Sequence, residues 1–228
     1  MTNLPLSEEK VRAPASALRG YGPASLAVVA TIVVALVFFG PVVAAALVLV
    51  WVLLSGTPWR DIGYILPQSW LAGLLLGIVG GVALKVAVKS AVMPLLGAPA
   101  TNETYQYLTG HPGAAVLFAV YIVVGGGWAE ETVYRGWLFE RLGKALGETA
   151  AAKVVTVAMG AGLFAASHFL DQGWPGVEQA IITGVVLGSL YAVTGSLWIP
   201  FWVHVAYDLT AVAMIYFGLE TMFAHAIF

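Results

Sequence analysis

Gly125-Gly126-Gly127-Trp128-Ala129-Glu130-Glu131-Thr132-Val133-Tyr134-Arg135 lies in an otherwise apolar segment that runs from Pro112 to about Phe139. Its length and hydropathy read as a membrane helix, which needs about 20 apolar residues to cross a ~30 Å hydrocarbon core. Yet Glu130, Glu131 and Arg135 all fall inside it. An ionisable side chain within a membrane segment is costly and marks a functional site by default. The stretch therefore predicts a membrane bundle whose interior is polar around Glu130.

The composition of the whole chain agrees. Of 228 residues, 60% are hydrophobic and only 10% charged, with a mean hydropathy of +0.90. A soluble domain is nearer half apolar and a quarter charged. The net charge of −2 and the lack of a basic run give no footing for nucleic acid as a partner. With no cysteine, disulfides, thiolate metal sites and a cysteine nucleophile are excluded. Residues 1–23 are polar and carry Lys10, Arg12 and Arg19; the apolar run after them continues past residue 50. That is too long for the core of a cleaved signal peptide. The expectation is a flexible polar tail over 1–23 and a single transmembrane domain over 24–228.

Working outward, Ala24–Leu54 is almost unbroken hydrocarbon with Gly40-Pro41 at its middle. Such a pair kinks a helix or turns the chain back. A hairpin puts Lys10, Arg12, Arg19, Arg60, Arg141, Lys144 and Lys153 on or near one side of the membrane. Basic residues favour the cytoplasmic side, so the hairpin with a cytoplasmic N-terminus is the better reading. Further spans are expected over Trp70–Met93, Pro112–Phe139, Ala150–Leu170, Ala180–Val193 (beginning as early as Pro175) and Ser196–Phe217. Polar loops are expected over Ser55–Ser69, Pro94–His111 and Asp171–Gln179, and an interfacial tail over Glu220–Phe228. The fold class is an all-α, polytopic bundle of about seven (six to eight) transmembrane helices. Gly73 with Gly77, and Gly184 with Gly188, have the spacing that lets membrane helices approach closely.

The ionisable residues in or at the rims of these spans are Glu130, Glu131, Arg135, His168, His204 and Asp208. Lys85 and Lys89 are expected to snorkel from a helix end. Glu131 and Arg135, four apart with the acid first, suit an ion pair. Glu130 points about 100° away around the helix and needs another partner. His204 and Asp208, also four apart, share one face. His168 and His204 fall within one or two turns of Glu130 in depth. A carboxylate and two imidazoles brought together can activate a water, bind a metal or relay protons. Tyr134 is expected to pack, and His111 and His225 to sit at the interface.

Glu130-Glu131-x-x-x-Arg135, Phe164-x-x-x-His168 and His204-x-x-x-Asp208 resemble, in order and spacing, the motifs of the CPBP intramembrane proteases. That family includes the type II CAAX prenyl endopeptidases and the bacteriocin-processing or bacteriocin-immunity "Abi" proteins. The resemblance covers about the last 115 residues and implies a catalytic core over 113–217. It implies an intramembrane endopeptidase in which Glu130 and His168 hold and activate water, and His204 and residue 208 stabilise the oxyanion. Glu131 and Arg135 would organise the site. A glutamate-type mechanism with no cofactor is expected; the alternative is zinc held by Glu130, His168 and His204. The CAAX enzymes typically carry Asn at the position of Asp208. An ionised Asp cannot donate to an oxyanion, so Asp208 would stay protonated, orient His204 or help bind a metal. The expected partners are the bilayer and a peptide or membrane-protein substrate. Other readings are a non-proteolytic scaffold or immunity protein of the same fold, and a proton-coupled transporter. The Ala/Gly/Val-rich composition suggests a bacterial plasma membrane.

Overall fold

The computed structural model describes residues 14–227. Lys10 and Arg12, expected in a polar tail, lie outside the described residues. Residues 14–19 are helical. The described chain is all helix and turn, without a strand, as the apolar periodicities require.

The first apolar run is a hairpin. Helix α1 (Pro23–Phe39) and helix α2 (Pro41–Ser55) are separated by Gly40 alone, at φ 85°. That region is open to glycine at no steric cost, and Pro41 then takes a first-turn position where its missing N–H costs nothing. The antiparallel return is fixed by cross-links at the far end. The Trp51 indole donates to Leu18 O at 3.1 Å, and the Arg19 guanidinium donates to Gly56 O. Arg141 joins the same end: its guanidinium donates to Arg19 O and lies over the Tyr21 and Trp51 rings. Arg19 and Arg141 thus gather where the charge distribution placed them.

Helix α3 (Trp70–Ala87) is capped by Ser69, which accepts from Ala72 N, and continues through a π turn (Val88–Val92) to Leu95. Helix α4 runs from Pro112 to Leu146, and its middle, Ile122–Trp137, is a π-helix. Helices α5 (Ala150–Ser167), α6 (Phe169–Thr194) and α7 (Trp198–Tyr216) follow, with a short α8 (Glu220–Ala224). Five of these, α3 to α7, are long and apolar enough to cross a membrane. With the shorter α1–α2 hairpin they make a polytopic helical membrane protein. Their outer faces carry exposed Phe38, Leu71, Leu117 and Val193, the surface lipid would cover.

Three expectations are corrected. The segment Asp171–Gln179 is not a loop: α6 runs through it, broken only at Gly173 (φ 62°), with Pro175 in the turn after the break. A proline there starts a new helical stretch without losing a needed donor. The tail from Glu220 is not merely interfacial, because Glu220 is buried and accepts from Asn102 N and the Gln106 side chain. The third concerns the glycines of α3. Gly73 has open space around it, whereas Gly77 and Gly81 lie against α7. A Cβ on Gly81 would sit 2.7 Å from Ala206 Cβ and 2.8 Å from Tyr207 N. The small-residue seam is thus one turn further along than the first pair suggested. Gly184, against Ala161, and Gly188, against Phe139 and Val157, do form the expected close approach of α6 to α5 and α4.

The displaced seam gives a paired test. Gly81→Val forces backbone apart and is expected to cost about 1–3 kcal/mol, whereas Gly73→Val changes stability by no more than about 0.5 kcal/mol. Thermal melts of the two variants in detergent micelles measure this, and equal melting would contradict the assigned α3–α7 packing.

Candidate functional site

The π segment of α4 sets the site. A π-helix carries an extra residue per turn, is rare beyond a single turn and tends to occur at functional sites. Here it spans 16 residues and holds all of the opening stretch. Two of its three glycines, Gly126 and Gly127, are the surface on which α7 rests, while Gly125 lies against Tyr121 of the same helix. A Cβ on Gly127 would strike Val205 and the Phe201 ring, and one on Gly126 would lie 3.2 Å from Asp208 Oδ2. Bare backbone at these positions lets the His204–Asp208 face of α7 come directly against the glutamates.

Glu131 is the centre of the arrangement. Its side chain is 1% exposed. One oxygen, Oε1, accepts from Arg135 Nη1 at 2.8 Å and from His204 Nδ1 at 2.8 Å. The expected Glu131–Arg135 pair exists, but it is not sealed off from the rest of the site. It also fixes the His204 ring and turns Nε2 the other way. There Nε2 lies 3.4 Å from Asp208 Oδ2 and 3.8 Å from Glu130 Oε2. Glu130 does point away from Arg135, with its side chain 17% exposed. A buried carboxylate holding the ring nitrogen distal to the reacting face fixes both tautomer and orientation.

Phe164 supports these groups from below. It is 1% exposed and meets Tyr134, His168 and His204 edge to face at centroid distances of 5.1, 4.6 and 5.7 Å. The Arg135 guanidinium lies 4.4 Å over the same ring, a favourable cation–π position. Tyr134 packs, as expected. His168 sits where α5 ends, its Nδ1 2.9 Å from Phe164 O. Among the described residues no hydrogen bond links His168 to Glu130, His204 or Asp208, so Glu130 and His168, expected to hold a water together, do not bond to each other directly. His111 and His225 are exposed.

All four groups line one cavity of about 400 Å³: Glu130, His168, His204 and Asp208. This is the size of a small-molecule or short-peptide pocket. Leu36, Val37, Gly40 and Pro41 of the hairpin tip wall it on one side. Among the described residues no group of three His, Asp or Glu side chains is disposed to hold a metal ion. The zinc set Glu130, His168 and His204 is therefore not assembled in this arrangement.

Residues 112–210 match the family described as Rce1-like, the type II CAAX prenyl endopeptidase Rce1-like proteins. The match supports assignment to the CPBP/CAAX protease family. Over those residues, somewhat under half of the chain, the sequence is similar to that family. No curated protein and no solved structure matches it. The matched segment contains Glu130, Glu131, Arg135, His168, His204 and Asp208, and it ends before α8.

Two features of the site escaped the sequence reading. Tyr64, in the loop between α2 and α3, accepts from Trp128 Nε1 at 2.8 Å and lies 2.8 Å from Thr132 Oγ1. Thr132 in turn donates to Trp128 O at 2.7 Å, closing a small polar ring on the π segment. Burial pushes the Tyr64 phenol above its ordinary value and keeps it a neutral donor and acceptor. A lone tyrosine in a loop carries no periodic signal that would have found it. The second is Lys85, and with it Lys89. Neither snorkels; both are buried and line the cavity.

Glu131→Ala is expected to cost about 3–5 kcal/mol, because it strips Arg135 and His204 of their shared acceptor in a buried setting. Glu130→Ala, at a partly open position with no hydrogen bond among the described residues, should cost less than about 1 kcal/mol. Thermal unfolding of the purified variants ranks them; the opposite order would show that Glu131 is not the anchor.

Proposed function

We propose that this protein is an intramembrane endopeptidase in which Glu130 and His204 carry the reaction. The observation that carries the reading is the division of labour at His204. One ring nitrogen is committed to the buried Glu131, and the other faces the cavity beside Glu130 and Asp208. The similarity of residues 112–210 to a protease family supports the reaction class.

Glu130 takes a proton from a water in the cavity, a role its partial exposure and lack of a tight partner leave open. The hydroxide adds to a peptide carbonyl lying against the Gly126 face. The carbonyl oxygen becomes an oxyanion, and His204 donates to it through Nε2. Three carboxylates around the ring suit a cationic imidazolium, and Glu131 keeps it from turning. The proton on Glu130 passes to the departing amine as the C–N bond breaks, and the carboxylate is restored. His168, across the cavity, steers the water or the leaving amine without touching Glu130. Asp208 orients His204, which resolves its departure from Asn: the residue acts through the ring. The basic end of the bundle, with Arg19 and Arg141, suits the cytoplasmic side.

Glu130→Gln should lower cleavage of a farnesylated CAAX-type reporter peptide by about 10²–10⁴-fold, the range for loss of a general base, while the protein stays folded. Retained turnover would sink this reading. Asp208→Asn should keep activity within about tenfold, because an amide can still hold His204 at Nε2, whereas Asp208→Ala should lose more. Dialysis against a chelator should leave turnover unchanged. Activity lost to the chelator and restored by Zn²⁺ would point instead to a metal-dependent site.

A further inference from the structure

The two ends of the bundle differ in charge. At one end, hydrogen bonds gather the segments that join the helices: Arg19 donates to Gly56 O, Arg141 to Arg19 O at 2.6 Å, and Leu197 N to Gly63 O at 3.0 Å. A separate set ties the other end. Thr104 donates to Asp171 O at 3.1 Å, Gly110 N to Tyr216 O at 3.4 Å, and Asn102 N to Glu220 at 3.1 Å. Arg19, Arg60, Arg141, Lys144 and Lys153 all fall at the first end. At the second, Glu103 and Asp171 are exposed, Lys85 and Lys89 are buried, and among the described residues no lysine or arginine is exposed. Lysine and arginine in short connections stay on the cytoplasmic side. With the buried pair counted, the bias is still five against two in favour of a cytoplasmic first end.

The cavity belongs to the second end. Pro41 of the hairpin tip, Asn102 and Tyr105 of the α3–α4 connection, and Leu170 and Asp171 of α6 all line it. Leu170, at 80% exposed, and Asp171 mark the open rim. Among the described residues, none at 56–69, 140–150 or 195–197, all at the basic end, lines it. From the rim the cavity runs down to Glu130 and His204, and Asp208 lies about two turns below the end of α7 at Tyr216. Towards the basic end the structure is closed by Glu131, Arg135 and Phe164, each at most 2% exposed. A peptide coming from that side would have to carry bare backbone through hydrocarbon or packed protein, and each unpaired polar group would cost several kcal/mol.

We propose that the cavity opens only to the non-cytoplasmic face, so that the peptide cut at Glu130 is supplied by a prior export or membrane-insertion reaction. The inference rests on the endopeptidase reading and deepens it, because it sets the enzyme after translocation in the reaction sequence. The substrate class is then an exported or membrane-inserted polypeptide whose scissile segment already lies outside. A tail modified in the cytoplasm does not reach Glu130 unless it first crosses the membrane.

The chain has no cysteine, so single cysteines read the accessible side directly. Ala211→Cys and Gln172→Cys place thiols on two parts of the cavity wall. The full-length variants are treated with a membrane-impermeant thiosulfonate in bacterial spheroplasts and in sealed inside-out vesicles. Both should react in spheroplasts and lose that reaction in the vesicles. Ala145→Cys, exposed at the basic end, should do the reverse. The wild-type protein should cut a farnesylated CAAX-type reporter peptide bearing a sulfonated, impermeant dye in spheroplasts. In inside-out vesicles it should do so only once detergent opens them. Reaction of the wall cysteines in sealed inside-out vesicles, no reaction from either face, or cleavage by those sealed vesicles would each overturn the proposal. So would labelling of Ala145→Cys in spheroplasts, which inverts the orientation. Failure of the endopeptidase reading looks different: the reporter stays intact even in detergent, while the wall cysteines still react only in spheroplasts.

Discussion

One carboxylate oxygen organises the centre of this protein. Glu131 Oε1 accepts from a guanidinium on its own helix and from an imidazole on α7. Each interaction alone would be a buried pair of uncertain net benefit, since desolvation offsets most of the attraction. Shared, they tie the π segment of α4 to α7 and fix the rotation of the His204 ring. Glu131 does not line the cavity and Glu130 does, so the anchor and the reacting group are separate residues that are adjacent in sequence. That separation lets the first be fully dry while Glu130 stays partly open.

The anchor works only because α7 can come close enough. Ordinary side chains at residues 126 and 127 would hold two helices 8–10 Å apart. The glycines remove that spacing, so Val205 and Phe201 press on Gly127 and Asp208 reaches Gly126. Gly77 and Gly81 do the same from the α3 side, against Trp202, Ala206 and Tyr207. Helix α7 is therefore gripped between two bare backbones, and His204 and Asp208 have little freedom to drift. In lipid, where burial of apolar surface gives no drive for helices to associate, such close van der Waals contact is the main source of cohesion.

Much of this was legible in the chain. The class of fold followed from hydropathy, and the hairpin from Gly40-Pro41 with the charge distribution. The Glu131–Arg135 pair and the His204–Asp208 face followed from helical spacing alone. What was not legible depends on contacts between helices. Helical phase separated Glu130 from Arg135, yet it could not show that Glu131 would also hold His204. The spacing of Gly73 and Gly77 was correct as a pattern and wrong in register by one turn, because a sequence does not say which face meets a partner. Lys85 and Lys89 were read by their distance from a helix end, while their burial comes from α6, α8 and the loop at Ala100. Tyr64 had no signal at all.

The cavity itself is electrically uneven, and this follows from the same geometry. Glu130, Asp208 and Lys85 all line it, and Tyr207, over whose ring the Lys85 ammonium lies, precedes Asp208 on α7. Arg135 is withdrawn under Phe164 and Glu131, so its charge is spent on the scaffold. The charged groups left to line the cavity then include Glu130, Asp208, Lys85 and Lys89, so a chain that enters meets both signs of charge on walls already fixed by the helix contacts.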